Sequence, residues 1–346
     1  MKIVMPGGSG QIGALLARHL AKQGYEVVIL SRGRACPVGR VVPWDAEHLG
    51  DWAVELEGAD VVINLAGRSV NCRYSRRNRR EILASRINST RLVGQAIALA
   101  KDPPRLWLQA GTATIYAHRF DAANDEDTGI LGGGEPEAPD TWRFSIEVAN
   151  AWEQACNEAE APHTRKVILR SAMTMSPDPG GVFAVLLGLV RRGLGGRAGD
   201  GRQYVSWIHA FDFIAALEWL MAHRELTGPI NISAPNPLPN ADFKRVLRDA
   251  WGRGCGLPAS RWMLEAGAFV LRTETELILK SRRVVPGRLL TSGFRFGFRT
   301  GLARRPIYAI VGGTDGRWRE NGSSVAKTLA GLSEHNLPMA RSSPCR

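Results

Sequence analysis

The run over residues 2–5 is apolar, a glycine cluster follows it, and Ile12, Leu15, Leu16 and Leu20 then recur at helical spacing before a second apolar run at 27–30. This predicts strand, turn, helix, strand. Further apolar runs at 61–65, 106–108 and 167–169 are separated by helical stretches, the pattern of a parallel sheet covered by helices on both faces. Helical spacing also covers 141–156, 211–223 and 241–251. The expected fold is α/β: a Rossmann-type doubly wound parallel sheet with a smaller C-terminal substrate-side region.

Beyond about residue 171 the chain turns to Gly- and Pro-rich loops between helices, where a doubly wound fold builds its substrate pocket. The expected division is a nucleotide-binding core over 1–170 and a substrate-side region over 171–300, some of whose elements complete the sheet. Over 301–346 periodicity fades and Gly, Ser and Arg accumulate, which predicts a poorly ordered tail.

Composition narrows the class. A chain of 346 residues with 44% hydrophobic and 23% charged content can bury a sizeable core. The net charge of +12 is concentrated: residues 68–91 hold eight Arg and one Glu, and residues 301–346 hold seven Lys or Arg and three acids. The remainder is nearly neutral, with no basic stripe of interleaved aromatics, so no specific nucleic-acid partner is expected. Five scattered cysteines, Cys36, Cys72, Cys156, Cys255 and Cys345, suit neither a disulfide framework nor a metal site. The longest apolar run, 182–190, is too short for a bilayer, so no membrane partner is expected. With a first strand starting at Lys2, no signal peptide is expected and a cytoplasmic setting fits best.

The glycines carry the first chemistry. Gly8, Gly10 and Gly13 satisfy G-x-G-x-x-G, and Gly7, Gly10 and Gly13 satisfy G-x-x-G-x-x-G. In either register the missing side chains allow a tight turn, close approach to a pyrophosphate and tight helix packing, with Gln11 and Ile12 opening the helix whose N-terminus faces the anion. An acid after the second strand would hold the ribose 2′-hydroxyl of NAD, but Ser31, Arg32, Gly33 and Arg34 stand there. A guanidinium at Arg32 suits a 2′-phosphate, so the expected cofactor is NADP(H); a merely solvated loop is the alternative. In "VVINLAG", residues 61–67, Asn64, Ala66 and Gly67 let the backbone pass close to the cofactor ribose at the end of a fourth strand.

Together "GGSGQIG", "NLAG", "EILASRINSTR", "GDGRQYVSWIHAFD", "NISAPNPLPNADF" and "RRVVPGRLLTSGFRF" resemble the atypical short-chain dehydrogenase/reductases called epimerase family proteins, over about residues 1–300. The resemblance implies an NADP-binding extended dehydrogenase with a small C-terminal domain of unknown function and, for most members, no assigned substrate. The region after 300 departs from the family. The arginine-rich stretch falls where the family has a basic helix-containing segment. It is expected to be a solvated face with Ile82, Leu83 and Ile87 packed inward, with binding of an anionic substrate or phosphate as the alternative.

Extended short-chain dehydrogenases place a Ser or Thr at the end of the fifth strand and Tyr-x-x-x-Lys on the next helix. By that resemblance Thr112 is the candidate hydroxyl, with Tyr116 four residues on; Thr112 capping a turn is the other reading. The Tyr-x-x-x-Lys pair is missing: the helix over 141–156 has no lysine, no tyrosine lies between Tyr116 and Tyr204, and Phe144, Glu147 and Val148 occupy the region. Proton transfer would then fall to Tyr116, Glu147 or His209, with Arg202 and Gln203 near substrate by analogy. Two functions stay open. One is an NADP(H)-dependent oxidoreductase or epimerase-like enzyme acting by hydride transfer on a small polar substrate; the other is a non-catalytic NADP(H)-binding sensor or scaffold. The sequence leaves the oligomeric state open.

Overall fold

A computed structural model describes residues 1–298 other than 34, 35, 137, 177, 179 and 271. Arg34 and the expected tail over 301–346 lie outside the described residues.

The chain begins with β1 (Lys2–Pro6), α1 (Gln11–Lys22), β2 (Glu26–Ser31), β3 (Arg40–Pro43) and β4 (Val61–Asn64). α2 (Arg76–Leu99), β5 (Leu106–Thr112), α3 (Asp140–Asn157) and β6 (Arg165–Ser171) follow. Next come β7 (Met173–Met175), α4 (Val182–Arg191), β8 (Tyr204–Val205), β9 (Trp207–His209), α5 (Ala210–Ala222) and β10 (Gly228–Ile232). The last elements are β11 (Leu238–Pro239), α6 (Asn240–Ala250), α7 (Arg261–Val270), α8 (Glu276–Leu279) and α9 (Gly287–Thr291).

Seven strands form one parallel sheet in the order β10-β6-β5-β4-β1-β2-β3, the doubly wound order extended by one strand. Alternation puts successive side chains on opposite faces, and both faces are buried. Ile3, Met5 and Ile29 pack under Leu16 and Leu20 of α1 and Phe213 and Leu217 of α5. Val4, Val28 and Val62 face Val93 and Ile97 of α2 and Cys156 of α3. The sheet exceeds the five apolar runs by two. β3 is a four-residue, partly exposed edge, and β10 opens on Gly228-Pro229, which interrupts the apolar run.

Past β6 the chain builds a further apolar cluster, in which Phe183 and Leu187 of α4 meet Trp207, Phe243 and Leu247. The stretch after α8 then runs back across the C-terminal ends of the strands. Asn124 N donates to the Arg283 carbonyl at 2.7 Å, and Val285 N donates to the Asn124 carbonyl at 2.9 Å. Among the described residues no helix is long and apolar enough to cross a membrane, and no His, Cys, Asp and Glu cluster could hold a metal.

Candidate functional site

The glycines divide the labour of the first turn. Gly7 has φ +73°, and a Cβ there would stand 2.7 Å from the Ala66 backbone, so this crossing of β1 and the strand beside it needs glycine. A Cβ at Gly13 would lie 2.2 Å from the Gly8 carbonyl oxygen, so the third glycine lets α1 seat against the loop. A Cβ at Gly8 would stand 2.9 Å from Met5, so this position too has no room for a side chain. Gly10 differs: its nearest neighbour would be 3.6 Å away, an ordinary contact, so the protein leaves that side of the turn open. Gly10 is also the N-cap of α1, with no side-chain cap and no acid in the first turn. An uncapped helix N-terminus beside an open glycine is a fit for an anion.

Around this turn the other predicted contacts take different places. Ser31 donates its hydroxyl to Ser9 Oγ at 2.9 Å, tying the end of β2 to the glycine loop. Arg32 follows directly, exposed and with no hydrogen bond or ion pair among the described residues. Asn64 is wholly buried: its amide donates to Gln109 Oε1 at 3.0 Å and its oxygen accepts from Ala66 N at 3.1 Å. It therefore shapes the turn that presents Ala66, which is buried, and Gly67, which is exposed. Behind Gly67 lies Arg86, whose guanidinium donates to the carbonyls of Arg68 and Ile82 at 3.0 Å and stands 4.9 Å over the Trp152 ring. Burial without a carboxylate lowers Arg86 to about 10.

A cavity of about 440 Å³ opens from this turn toward the C-terminal region, bordered by Gln11, Ile12 and Leu65 at one end. Thr112, at the last position of β5, lines it. Thr112 Oγ1 accepts from Thr114 N at 3.2 Å, which caps the turn after β5 and leaves the hydroxyl proton free to donate. Gln11 donates to the Asp178 carbonyl at 2.9 Å and so borders the cavity while holding the loop before α4. The roof comes from residues 277–282. Lys280, almost fully buried, donates to the Thr114 carbonyl at 2.7 Å, and Arg282 donates to Thr114 Oγ1 at 3.0 Å. Arg282 also pairs with Glu276 at 2.7 Å, and the other Glu276 oxygen accepts from Ser145 at 2.8 Å. Neither lysine nor arginine here was signalled by spacing, because Thr114 and Lys280 are 166 residues apart.

Residues 3–233 match the NAD dependent epimerase/dehydratase family, and residues 259–300 match a domain of unknown function, DUF1731. The chain belongs to the epimerase family proteins. Epimerase family protein YfhF of Bacillus subtilis is 31% identical over 301 residues, 86% of this chain and 94% of that protein. Human epimerase family protein SDR39U1 is 30% identical over 313 residues, 89% of this chain and all of the relative. The crystal structure of human SDR39U1 (isoform 2) with NADPH superposes with a TM-score of 0.78 at 28% identity, covering 90% of this chain and 100% of that chain. A nucleoside-diphosphate sugar epimerase from Corynebacterium glutamicum gives 0.67 at 25% identity, over 96% of this chain and 66% of that one. The cavity roof thus lies in the DUF1731 part of an epimerase family protein.

The remaining catalytic candidates do not converge on that cavity. Tyr116 is buried beside it, its hydroxyl accepting from Arg170 at 2.9 Å and donating to Asn231 at 2.9 Å, while Arg170 is held by both oxygens of Glu153 at 2.8 Å. Burial pushes the phenol up, so it stays protonated. His209 caps α5 by accepting from Phe211 N at 3.2 Å and stacks on Phe298 at 3.7 Å; burial lowers it to about 4. Glu147 is exposed on α3 and does not line this cavity. Phe144 and Val148, four residues apart, pack with Tyr74 and Ile82 in one apolar cluster. Arg202 is exposed and Gln203 is buried, donating to the Ala198 and Ile278 carbonyls. Of the catalytic candidates only Thr112 reaches the cavity.

Among the described residues, four of the eight arginines of the basic segment are in ion pairs, Arg68 and Arg73 ahead of α2 and Arg77 and Arg79 on it. Arg68 and Arg77 meet Glu81, Arg73 meets Glu274 and Arg79 meets Asp140; of the three apolar residues expected inward, Ile82 and Leu83 join an apolar cluster, whereas Ile87 is only half-buried and outside it.

Proposed function

We propose that this protein binds NADP(H) in the cleft above Gly7–Gly13 and acts as an oxidoreductase or epimerase-like enzyme on a small polar substrate beneath the C-terminal roof. The observation that carries the reading is the open turn at Gly10, at the uncapped start of α1, which leads directly into a cavity bordered by Thr112. A human relative crystallised with NADPH supports it.

A bound nicotinamide would supply hydride exchange. The protein's part is to bind and orient. Backbone amides at the start of α1 receive the pyrophosphate, and Gly10 leaves room for it. Arg32, free at the end of β2, pairs with a 2′-phosphate. Ala66 and Gly67 keep the wall beside the ribose low. Thr112 offers its hydroxyl proton to a substrate oxygen, and the apolar walls at Leu65, Leu169 and Phe213 exclude water. A second reading, a non-catalytic NADP(H)-binding sensor or scaffold, is favoured by one observation: Phe144 and Val148 stand where a proton-exchanging pair is expected.

The test is a thermal-shift titration with NADPH, NADP, NADH and NAD. The expected order puts the two phosphorylated forms first, and Arg32→Glu should weaken NADPH by at least tenfold more than NADH. Equal weakening overturns the phosphate assignment. Tight binding with no absorbance change across carbonyl and sugar-nucleotide substrates moves the conclusion to the sensor.

A further inference from the structure

Among the described residues only two side chains bordering the cavity carry charge, Lys280 and Arg282, and no acid borders it. Their situations differ. Arg282 is compensated: its guanidinium pairs with Glu276, itself buried, and it donates to Thr114 Oγ1. Lys280 is 1% exposed, donates to the neutral Thr114 carbonyl and meets no carboxylate within ion-pair distance among the described residues. A buried ammonium without a counter-ion is costly, and a site that keeps one is arranged for an incoming anion.

The space limits what that anion belongs to. The cofactor end at Gln11, Ile12 and Leu65 shares the same 440 Å³ cavity, so substrate has only the part toward the roof. Toward the roof the walls include Met173, Leu186 and Phe243, which suit an apolar body. One uncompensated cation balances one negative charge.

We propose that Lys280 is the counter-ion for the carboxylate of a small oxo or hydroxy acid, a polar substrate with a short apolar body, with Thr112 facing the oxygen that reacts. The proposal rests on the reading of the cleft as a nicotinamide site. Burial and Arg282 bring Lys280 down to about 7, which an adjacent carboxylate reverses. The other charged or titratable groups acting on Lys280 are Glu276, Glu135 and His118; the His118 Nδ1 accepts from Ser281 N at 2.8 Å, and burial keeps the ring neutral near pH 7. Acid affinity accordingly falls as pH rises above about 7.

The test uses the full chain loaded with NADP, which cannot reduce an oxo acid. Thermal shifts and competition titrations are run with 2-oxobutyrate and 2-oxohexanoate, their methyl esters and inorganic phosphate. The acids should bind at least tenfold tighter than the esters and than phosphate, more tightly at pH 6.5 than at pH 8.5. Lys280→Met should lose at least tenfold for the acids with its NADP shift intact, and Lys280→Arg should stay within about threefold of the parent. Equal binding of acid and ester, preference for phosphate, or an unaltered Lys280→Met overturns the proposal. The acid-to-ester comparison needs no variant, so misfolding of Lys280→Met leaves the test intact. Absence of any NADP shift instead removes the parent reading.

Discussion

Lys280 donates to the carbonyl of Thr114 at 2.7 Å, joining the DUF1731 part of the chain to the turn immediately after Thr112. Arg282 holds the hydroxyl of the same threonine, so the end of β5 and the cavity roof form one hydrogen-bonded unit. What happens in the roof is therefore felt at Thr112.

The pair beneath that roof makes this measurable. Arg282 and Glu276 form a buried ion pair, with Ser145 satisfying the second carboxylate oxygen. Glu276→Ala leaves a buried guanidinium without its counter-ion, which costs about 3–5 kcal/mol. Urea denaturation should show that loss. A change below about 1 kcal/mol would mean that the roof does not hold Arg282 in place.

The glycine turn separates folding from binding. Gly13→Ala puts a methyl 2.2 Å from the Gly8 carbonyl, a backbone atom that cannot yield, so stability and nucleotide binding should fall together. Gly10→Ala meets nothing closer than 3.6 Å and sits at φ −74°, which alanine adopts freely. Because alanine caps a helix less well than glycine, its stability should fall by no more than about 1 kcal/mol, while NADPH affinity drops at least tenfold. Melting curves without nucleotide and fluorescence titrations with it give the two numbers. An unaltered affinity would place the pyrophosphate elsewhere.

Much of the fold was legible because the information was local. The alternation through Ile3, Val4 and Met5, and the helical repeat of Leu16 and Leu20, report strand and helix within a few residues of themselves. β3 and β10 escaped because an exposed four-residue edge and a Gly-Pro start carry little apolar signal. The site divided along the same line. The glycines are read from neighbours in sequence and Thr112 from the family motif it resembles, whereas Lys280, Glu276 and the carboxylates that meet Arg73 and Arg79 arrive from distant segments. Tyr116 shows the converse: the family resemblance makes it a catalytic candidate four residues after Thr112, but Arg170 near the end of β6 and Asn231 in β10 claim its hydroxyl.

That placement gives Tyr116→Phe a defined outcome. Removing the hydroxyl leaves the Asn231 oxygen and one Arg170 N–H without a partner inside the protein, at a cost of about 1–3 kcal/mol. Nucleotide affinity should not change. Turnover, once a substrate is found, should stay within about threefold of the parent. A large fall in kcat with an intact fold would restore Tyr116 to the chemistry.

His209 sets the last expectation, in acid. Burial holds its imidazole at about 4 in the folded chain, against 6.5 for an ordinary histidine; the ring caps α5 as an acceptor and stacks on Phe298. Below pH 6.5 the unfolded chain takes up a proton that the folded chain refuses, so the folded state loses stability as pH falls toward 4. The full loss is about 3 kcal/mol at 1.36 kcal/mol per pH unit. His209→Asn keeps a cap acceptor that does not titrate, although it gives up the stack on Phe298 and lowers the baseline. The measurement is the difference in unfolding free energy between parent and variant at pH 7 and at pH 4.5. That difference should narrow by about 2 kcal/mol at the lower pH. A constant difference would show that His209 accepts its proton in the folded state, and its place between Phe211 and Phe298 would have to be more open than the stack allows.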